Sequence, residues 1–218
     1  MSDEALVREA KRIHARYQHE IVEAFGFCPF AAKARETSAS RDVVRLETTP
    51  SIAELLYAVR ALAREDQVEV AFLVFPRWKI ARVELGHFVE QLRSAHQSER
   101  GGLVMTMEGF HPDADPDVTT SGSIIPFLRR TADPTIQLTR LSVLERVRAS
   151  TGGTTKYVDP TTVDVAALLA APPERSLHER IAETNHRKVL ERGPLAITRV
   201  LDEIRRDRDE GYARAERE

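Results

Sequence analysis

Short runs rich in branched and apolar residues alternate with helical periodicity through the middle of this chain, and this alternation limits the possible folds more than any other feature. The β-type runs cover 42–47, 68–75, 103–107 and 134–139. The helical segments between and after them cover 51–65, 81–98 and 141–149. Such an order favours one sheet with helices packed on it. We predict an α+β or α/β fold with a small three- to four-stranded sheet, ferredoxin-like in arrangement, and keep a doubly wound sheet as the alternative.

Helices are predicted before and after this sheet-and-helix core in the chain. We place the core at 42–149 within a single domain over 1–218. An N-terminal helix over 3–26 has apolar side chains every three or four residues. Two more helices are expected within 174–209, separated by a Gly-Pro pair. We expect the terminal helices to pack on the sheet and the charged tail, 210–218, to fray.

The charge balance and the cysteine content exclude several classes of protein. The 32 basic and 34 acidic residues give a net charge of −2, which provides no electrostatic reason to expect a nucleic acid or an anionic membrane as a partner. No apolar run approaches the ~20 residues that a membrane-spanning helix needs. The acidic start, Met1 to Glu4, does not resemble a signal peptide. A single cysteine cannot form an internal disulfide, so we expect a cytoplasmic protein.

Cys28 is the one cysteine of the chain and stands where the N-terminal helical pattern ends, directly before Pro29. At the C-terminal end of that helix, the helix dipole would raise the pKa of the thiol. At the start of a following helix over 29–36, free backbone N–H groups would instead stabilise the thiolate and lower its pKa. A third possibility is that Cys28 is a small buried apolar residue among the neighbouring phenylalanines.

His111 follows a predicted strand, and Pro112 stiffens the chain after it. Residues at such strand ends often provide bases or ligands, because loops on a rigid scaffold carry much of the function of α/β and α+β folds. A loop histidine can equally well serve to bind a backbone carbonyl. The sequence leaves both interpretations open.

Three arginines, Arg129, Arg130 and Arg140, flank the last predicted strand. Guanidinium groups held on a scaffold bind carboxylate or phosphate in a forked geometry. We therefore expect them to form a pocket for an anion, and surface ion pairs of little energetic value are the simpler alternative.

His19 and Glu23 lie one turn apart on the first predicted helix and are a possible metal pair. The sequence offers no obvious further ligand, so a solvated helix face is the preferred interpretation. The chain has no P-loop, no dinucleotide-binding glycine pattern, no nucleophile-elbow serine and no zinc cysteine pair, and it does not specify a cofactor.

The residues just described resemble the family called domain of unknown function 1415. Members show a Cys-Pro-Phe-Ala stretch after an N-terminal helix, which Cys28 to Ala31 match in full. They also show a Phe-His-Pro stretch after a strand, which Phe110 to Pro112 match. The resemblance spans about residues 5–192.

Two further segments support the resemblance and also mark the chain as a divergent member. The family segment that runs from one arginine through prolines to another matches Arg130 to Arg140 loosely, with Ala132 replacing the usual proline and Gln137 standing where a histidine is common. The final family helix carries an Ile and an Asn, and Ile181 and Asn185 match them. The resemblance therefore implies that Asn185 belongs with Cys28, His111, Arg130 and Arg140 in one recurring set.

We expect an enzyme, a thiol-dependent transferase or hydrolase that works by acyl or amidine transfer or by hydrolysis. Cys28 would be the nucleophile, and His111 would be its base or orienting partner. Asn185 would orient the substrate or donate a hydrogen bond to it. The arginines Arg129, Arg130 and Arg140 would hold the anionic group of a small substrate.

The alternative is a protein without turnover that binds a metal or haem through the Cys28 thiolate and the His111 imidazole. A third hypothesis is purely structural, with Cys28 in the core and the arginines bracing a loop. All three hypotheses depend on where the fold places Cys28 and His111.

Overall fold

The computed structural model describes residues 3–28, 30–99, 102, 104–150 and 177–217. A weak helical turn that the sequence predicts at 163–169 lies outside these ranges. Within them the strands are β1 (Ser40–Val44), β2 (Val70–Val74), β3 (Met105–Phe110) and β4 (Thr135–Arg140). The α-helices are α1 (Asp3–Tyr17), α2 (Ala31–Glu36), α3 (Ile52–Ala63), α4 (Arg82–Gln97), α5 (Ile124–Leu128), α6 (Leu141–Ser150), α7 (Leu177–Arg192) and α8 (Pro194–Ala215). A π-helical segment, Gln18–Glu23, continues α1.

The four strands form one mixed sheet in the order β1-β2-β4-β3. Strands β1 and β2 pair in parallel, and α3 connects them. Strand β4 pairs antiparallel with both β2 and β3, so it lies between two strands that run in the other direction. The predicted α+β fold is confirmed, but the ferredoxin-like detail is not, because β1 and β2 are adjacent and parallel.

One face of the sheet carries the main hydrophobic core. Side chains alternate along each strand, so every second residue points to this face. The core residues of the strands are Ala71, Leu73, Met105, Met107, Ile136 and Leu138. Helices α3 and α4 cover them with Leu55, Val59, Leu62, Leu85, Val89 and Leu92. Burial of these apolar side chains provides most of the drive for folding on this side.

The opposite face of the sheet is covered by α1, the π-helical segment, α5, α7 and α8. A second apolar cluster joins them and contains Ile13, Tyr17, Ile21, Phe110, Ile124, Phe127, Val189, Ile197, Leu201 and Ile204. The predicted packing of the N-terminal helix is therefore confirmed, since Ile13, Tyr17 and Ile21 are all buried. None of the described helices combines the length and the apolar character needed to cross a membrane.

The start of α3 follows from a local sequence signal, whereas the end of α8 depends on long-range contacts. The Ser51 hydroxyl accepts the Glu54 N–H at 3.3 Å and the Glu54 carboxylate accepts the Ser51 N–H at 2.9 Å, which is the capping box that begins α3. At the other end of the chain, α8 continues to Ala215 although the sequence predicts a frayed tail from residue 210. Tyr212 is buried there, and its burial keeps the last turns helical.

Candidate active site

A cavity of about 550 Å³ lies between the second face of the sheet and the helices that cover it. Its floor follows from the strand register, because directly paired residues point to the same face. Asp42 on β1 pairs with Phe72 on β2, and Phe72 pairs with Gln137 on β4. All three side chains line the cavity.

The walls of the cavity are mainly apolar. The apolar side chains that line it include Val22, Phe27, Phe30, Phe110, Ile125, Leu128 and Ile181. Phe30 and Ile181 are among the exposed large hydrophobic residues of the protein. A cavity of this size with apolar walls and a few polar groups on its floor is typical of a site for a small organic molecule.

The π-helical segment provides four of the residues that line this cavity, Gln18, His19, Val22 and Glu23. Hydrogen bonds between residues five apart close its wide turns, with the Ala24 N–H donating to the His19 carbonyl at 3.0 Å. π-Helical turns are rare and are frequently found at functional sites. The segment therefore supports a functional role for the cavity independently of its shape.

Cys28 lies on the cavity wall in the short loop that follows the π-helical segment. Gly26 turns the chain in a left-handed conformation with φ of 62°. Residues with a side chain rarely adopt this conformation. Helix α7 then holds the loop in place: the Asn185 amide donates to the Phe27 carbonyl at 3.0 Å, and the Lys188 ammonium donates to the Gly26 carbonyl. Asn185 is buried and lines the cavity, so its observed contact is with the Cys28 loop itself.

The surroundings of Cys28 act on its thiol in opposite directions. The residue as a whole is exposed, but burial of the thiol among its neighbours raises its pKa. Backbone N–H groups of Phe30 and Ala31, and then the positive charge of Lys188, lower the pKa without cancelling the effect of burial. The lowered pKa expected for an activated thiolate is therefore not found in the free protein.

His111 is buried, and backbone groups occupy both of its ring nitrogens. Nε2 lies 2.9 Å from the Ile80 carbonyl, and Nδ1 accepts the Asp113 N–H at 3.0 Å. This pattern requires the neutral ring with its proton on Nε2. His111 is not among the residues that line the Cys28 cavity, so these bonds would have to break before the ring could act as a base there.

Arg140 joins β4 to the end of α3 rather than to an anion pocket. Its Nε donates to the Val68 carbonyl at 2.8 Å, and Nη2 donates to the Glu65 carbonyl at 2.9 Å. Further bonds run to the carbonyls of Ala63 and Leu62. All three guanidinium nitrogens donate to carbonyls at or just after the C-terminal end of α3.

The side chains of Arg129 and Arg130, which follow α5, make different contacts. Arg129 lines the cavity, but its guanidinium is paired with Glu108 at 2.8 Å and lies 5.4 Å from the centre of the Phe110 ring. Arg130 stacks over Phe127 at 5.9 Å and does not line the cavity. The predicted anion pocket between Arg130 and Arg140 is therefore not supported, because the two groups have different surroundings.

The described residues contain no group of three or more His, Cys, Asp or Glu side chains arranged to hold a metal ion. His19 and Glu23 do lie 3.7 Å apart, and both line the cavity beside Cys28. His19 is the one histidine among the described residues of the cavity lining. The i, i+4 spacing of this pair is visible in the sequence, but its position beside Cys28 is not.

Comparison with known proteins gives a family and no further relative. The family model described as "Protein of unknown function (DUF1415)" matches residues 10–163, which include Cys28 and His111 and end before Asn185. No curated protein and no solved structure matches the chain. Because the match covers well over half of the sequence, the chain belongs to the DUF1415 family.

Proposed function

We propose that the protein is a thiol-dependent enzyme, a transferase or hydrolase, whose small substrate binds in the Cys28 cavity. The observation that carries this proposal is the position of the chain's one cysteine on the wall of a cavity of about 550 Å³. The rare π-helical geometry of the adjoining segment and the contacts from α7 that hold the Cys28 loop support it.

The chemistry that suits this geometry is acyl transfer. The Cys28 thiolate attacks the acyl carbon of the substrate, the leaving group departs with its electron pair and takes up a proton, and a thioester forms on the sulfur. Water or a second substrate then attacks the thioester and releases the thiolate. The N–H groups of Phe30 and Ala31 favour the negative charge on the sulfur in the first step and in the last.

Because burial raises the pKa of the Cys28 thiol, the enzyme needs a base to form the thiolate near pH 7. His19 lines the same cavity, and the Glu23 carboxylate, which also binds Arg35, lies 3.7 Å from its Nδ1. We therefore assign the base to His19 in place of His111, whose ring nitrogens are both bonded to the backbone. Asn185 is a positioning residue, since it holds the Phe27 carbonyl.

Acylation by p-nitrophenyl acetate tests this proposal. Release of p-nitrophenolate should saturate with ester concentration, and intact-mass measurement should locate one acetyl group on Cys28. Cys28→Ser should abolish both signals. His19→Gln should slow acylation, whereas His87→Gln, at an exposed position of α4 outside the cavity, should leave the rate unchanged.

The pH dependence gives a second check on the same reaction. In His19→Gln the rate of acylation should keep rising through and above the ~8.5 of an ordinary thiol, because burial raises the pKa of Cys28. The wild type should react faster near pH 7 than this profile allows. A linear dependence on ester concentration, or modification of Cys28 only in denaturant, would contradict the proposal.

A further inference from the structure

Asp42 places a carboxylate on the floor of the Cys28 cavity, on the edge strand β1 and beside the aromatic ring of Phe72. Its side chain is 28% exposed and stands in one row with Phe72 and Gln137. A carboxylate in such surroundings has lost part of its hydration, so it has much to gain from a positively charged neighbour.

The nearest titratable neighbour of Asp42 does not supply that charge. His14 Nε2 lies 3.8 Å from the Asp42 carboxylate, but His14 is buried, and burial lowers the pKa of the ring. The Gln18 amide nitrogen lies 3.1 Å from the same Nε2. An amide NH₂ can only donate, so Nε2 accepts this bond and carries no proton. His14 is therefore a neutral ring beside Asp42.

The other acidic side chains of the cavity lining already have cationic partners. Glu23 pairs with Arg35 at 2.9 Å, and Glu69 pairs with Arg146. Within the described part of the chain, Asp42 is thus the carboxylate of this cavity that has no arginine or lysine partner.

The cations of the cavity lining are either engaged elsewhere or lie at its exposed rim. Arg41 Nη1 donates to the carbonyls of Ser38 at 2.7 Å and Ser40 at 3.1 Å. Lys11 on α1 is exposed and forms no ion pair with Asp42. The Asp42 carboxylate therefore has no ion-pair contact with an arginine or lysine among the described residues of the lining.

We propose that the substrate of this cavity is an organic cation, with a protonated amine or amidine that binds Asp42 and an apolar body that packs against Phe72 and the other aromatic walls. The Gln137 side-chain oxygen can accept a second hydrogen bond from the same cationic group. This inference rests on the proposed function, since it takes the Cys28 cavity to be the substrate site. It also reverses the sign of the substrate charge that the arginines suggested from the sequence alone.

Calorimetric titration of the full chain with three matched probes tests the sign of this charge. Phenethylamine should bind on the order of tenfold more tightly than phenethyl alcohol, which has the same body without the charge, and phenylacetate should bind most weakly. Equal affinities, no detectable binding of the amine, or a preference for phenylacetate would overturn the proposal. The comparison is made on the wild type, so it does not depend on how well a variant folds.

Two variants then locate the effect at one carboxylate. Asp42→Asn should bring the affinity for the amine down to that for the alcohol. Glu69→Gln, which removes a carboxylate that lines the same cavity but is paired, should leave the preference unchanged. Loss of the preference in Glu69→Gln with its retention in Asp42→Asn would show that the cation binds elsewhere.

The proposed reaction of Cys28 and the proposed charge of the substrate can be tested separately. In Cys28→Ser the preference for the amine should persist, because the sulfur takes no part in binding the cation. Amine binding without acylation of the wild type would retain this inference and remove the proposed reaction. Acylation of Cys28 without a preference for the amine would retain the reaction and remove this inference.

Discussion

Asp133 is a buried carboxylate that connects the start of β4 to the end of α8. Its Oδ1 accepts from Arg208 Nε at 3.0 Å, and its Oδ2 accepts from the Tyr212 hydroxyl at 2.5 Å. Tyr212→Phe removes the second bond and leaves a buried charge short of a donor, so we expect a loss of about 1.5–3 kcal/mol in the free energy of unfolding. Chemical denaturation measures it, with Tyr57→Phe, at a tyrosine that is 73% exposed, as the control.

If both tyrosine variants lost the same stability, the bond between Tyr212 and Asp133 would not be the cause.

The sequence could not have predicted the contact between Tyr212 and Asp133. Residues 210–218 are dominated by charge, and a charged end of a chain is expected to fray. Tyr212 is held in place by a partner 79 positions away in the chain, and only the fold brings the two together.

For Cys28, the sequence predicts the local backbone but not the surroundings of the thiol. The Gly26 turn and the following Pro29 are local signals, so the break in the helix before the cysteine could be predicted from the sequence. The contacts of His111 could not, because its Nε2 bonds to the carbonyl of Ile80, a residue of a different connection. A strand-end histidine that satisfies backbone groups has the same sequence pattern as one that acts as a base.

At the scale of the secondary-structure elements, Arg140 fixes the C-terminal end of α3 to β4. Arg140→Lys keeps the positive charge but loses the planar fork that reaches several carbonyls at once. We expect a loss of about 1–3 kcal/mol in the free energy of unfolding, because carbonyls of the last turn are left without donors. Arg146→Lys is the matched control, since Arg146 is 60% exposed and pairs only with Glu69 among the described residues.

Equal effects of the two arginine variants in urea denaturation would show that the capping by Arg140 contributes little to the free energy of unfolding.

The secondary-structure elements themselves were largely predictable, because hydrophobic period and capping residues are local properties. The order of the strands was not, since β4 enters between β2 and β3 through contacts between segments far apart in sequence. The π-helical segment was also missed, because its side-chain pattern resembles that of the α-helix it continues.

At the scale of the whole molecule, the cavity is a product of assembly rather than of any one segment. Its floor comes from β1, β2 and β4, and its walls come from the π-helical segment, the Cys28 loop, α5 and α7. The strands, the Cys28 loop and α7 are visible in the sequence as elements or motifs, whereas the π-helical geometry and α5 are not. Their meeting around one cavity depends on the sheet order and on the helices that cover the second face, and neither is encoded locally.

The two ends of the described chain meet through α1 and α8, and this contact carries a pH dependence. Asp207 on α8 accepts from Arg12 Nη1 and from Arg16 Nη1, each at 2.7 Å. The two guanidinium groups lower the pKa of Asp207 well below the ordinary range of a carboxyl group. A carboxyl whose folded pKa is lowered stabilises the fold above its unfolded pKa of ~3.9, and that contribution is lost as the pH falls through the folded value.

Asp207→Asn should therefore cost about 1 kcal/mol at pH 7, a modest value because the side chains are partly exposed and solvent screens the pair. The difference in unfolding free energy between wild type and variant should shrink below about pH 4, where the wild-type carboxylate begins to lose its advantage. Asp202→Asn, at an exposed position of the same helix, should show neither effect. Urea denaturation at a series of pH values measures both variants. A difference for Asp207→Asn that stays constant from pH 7 into the acid range would mean that its ion pairs do not hold the two helices together.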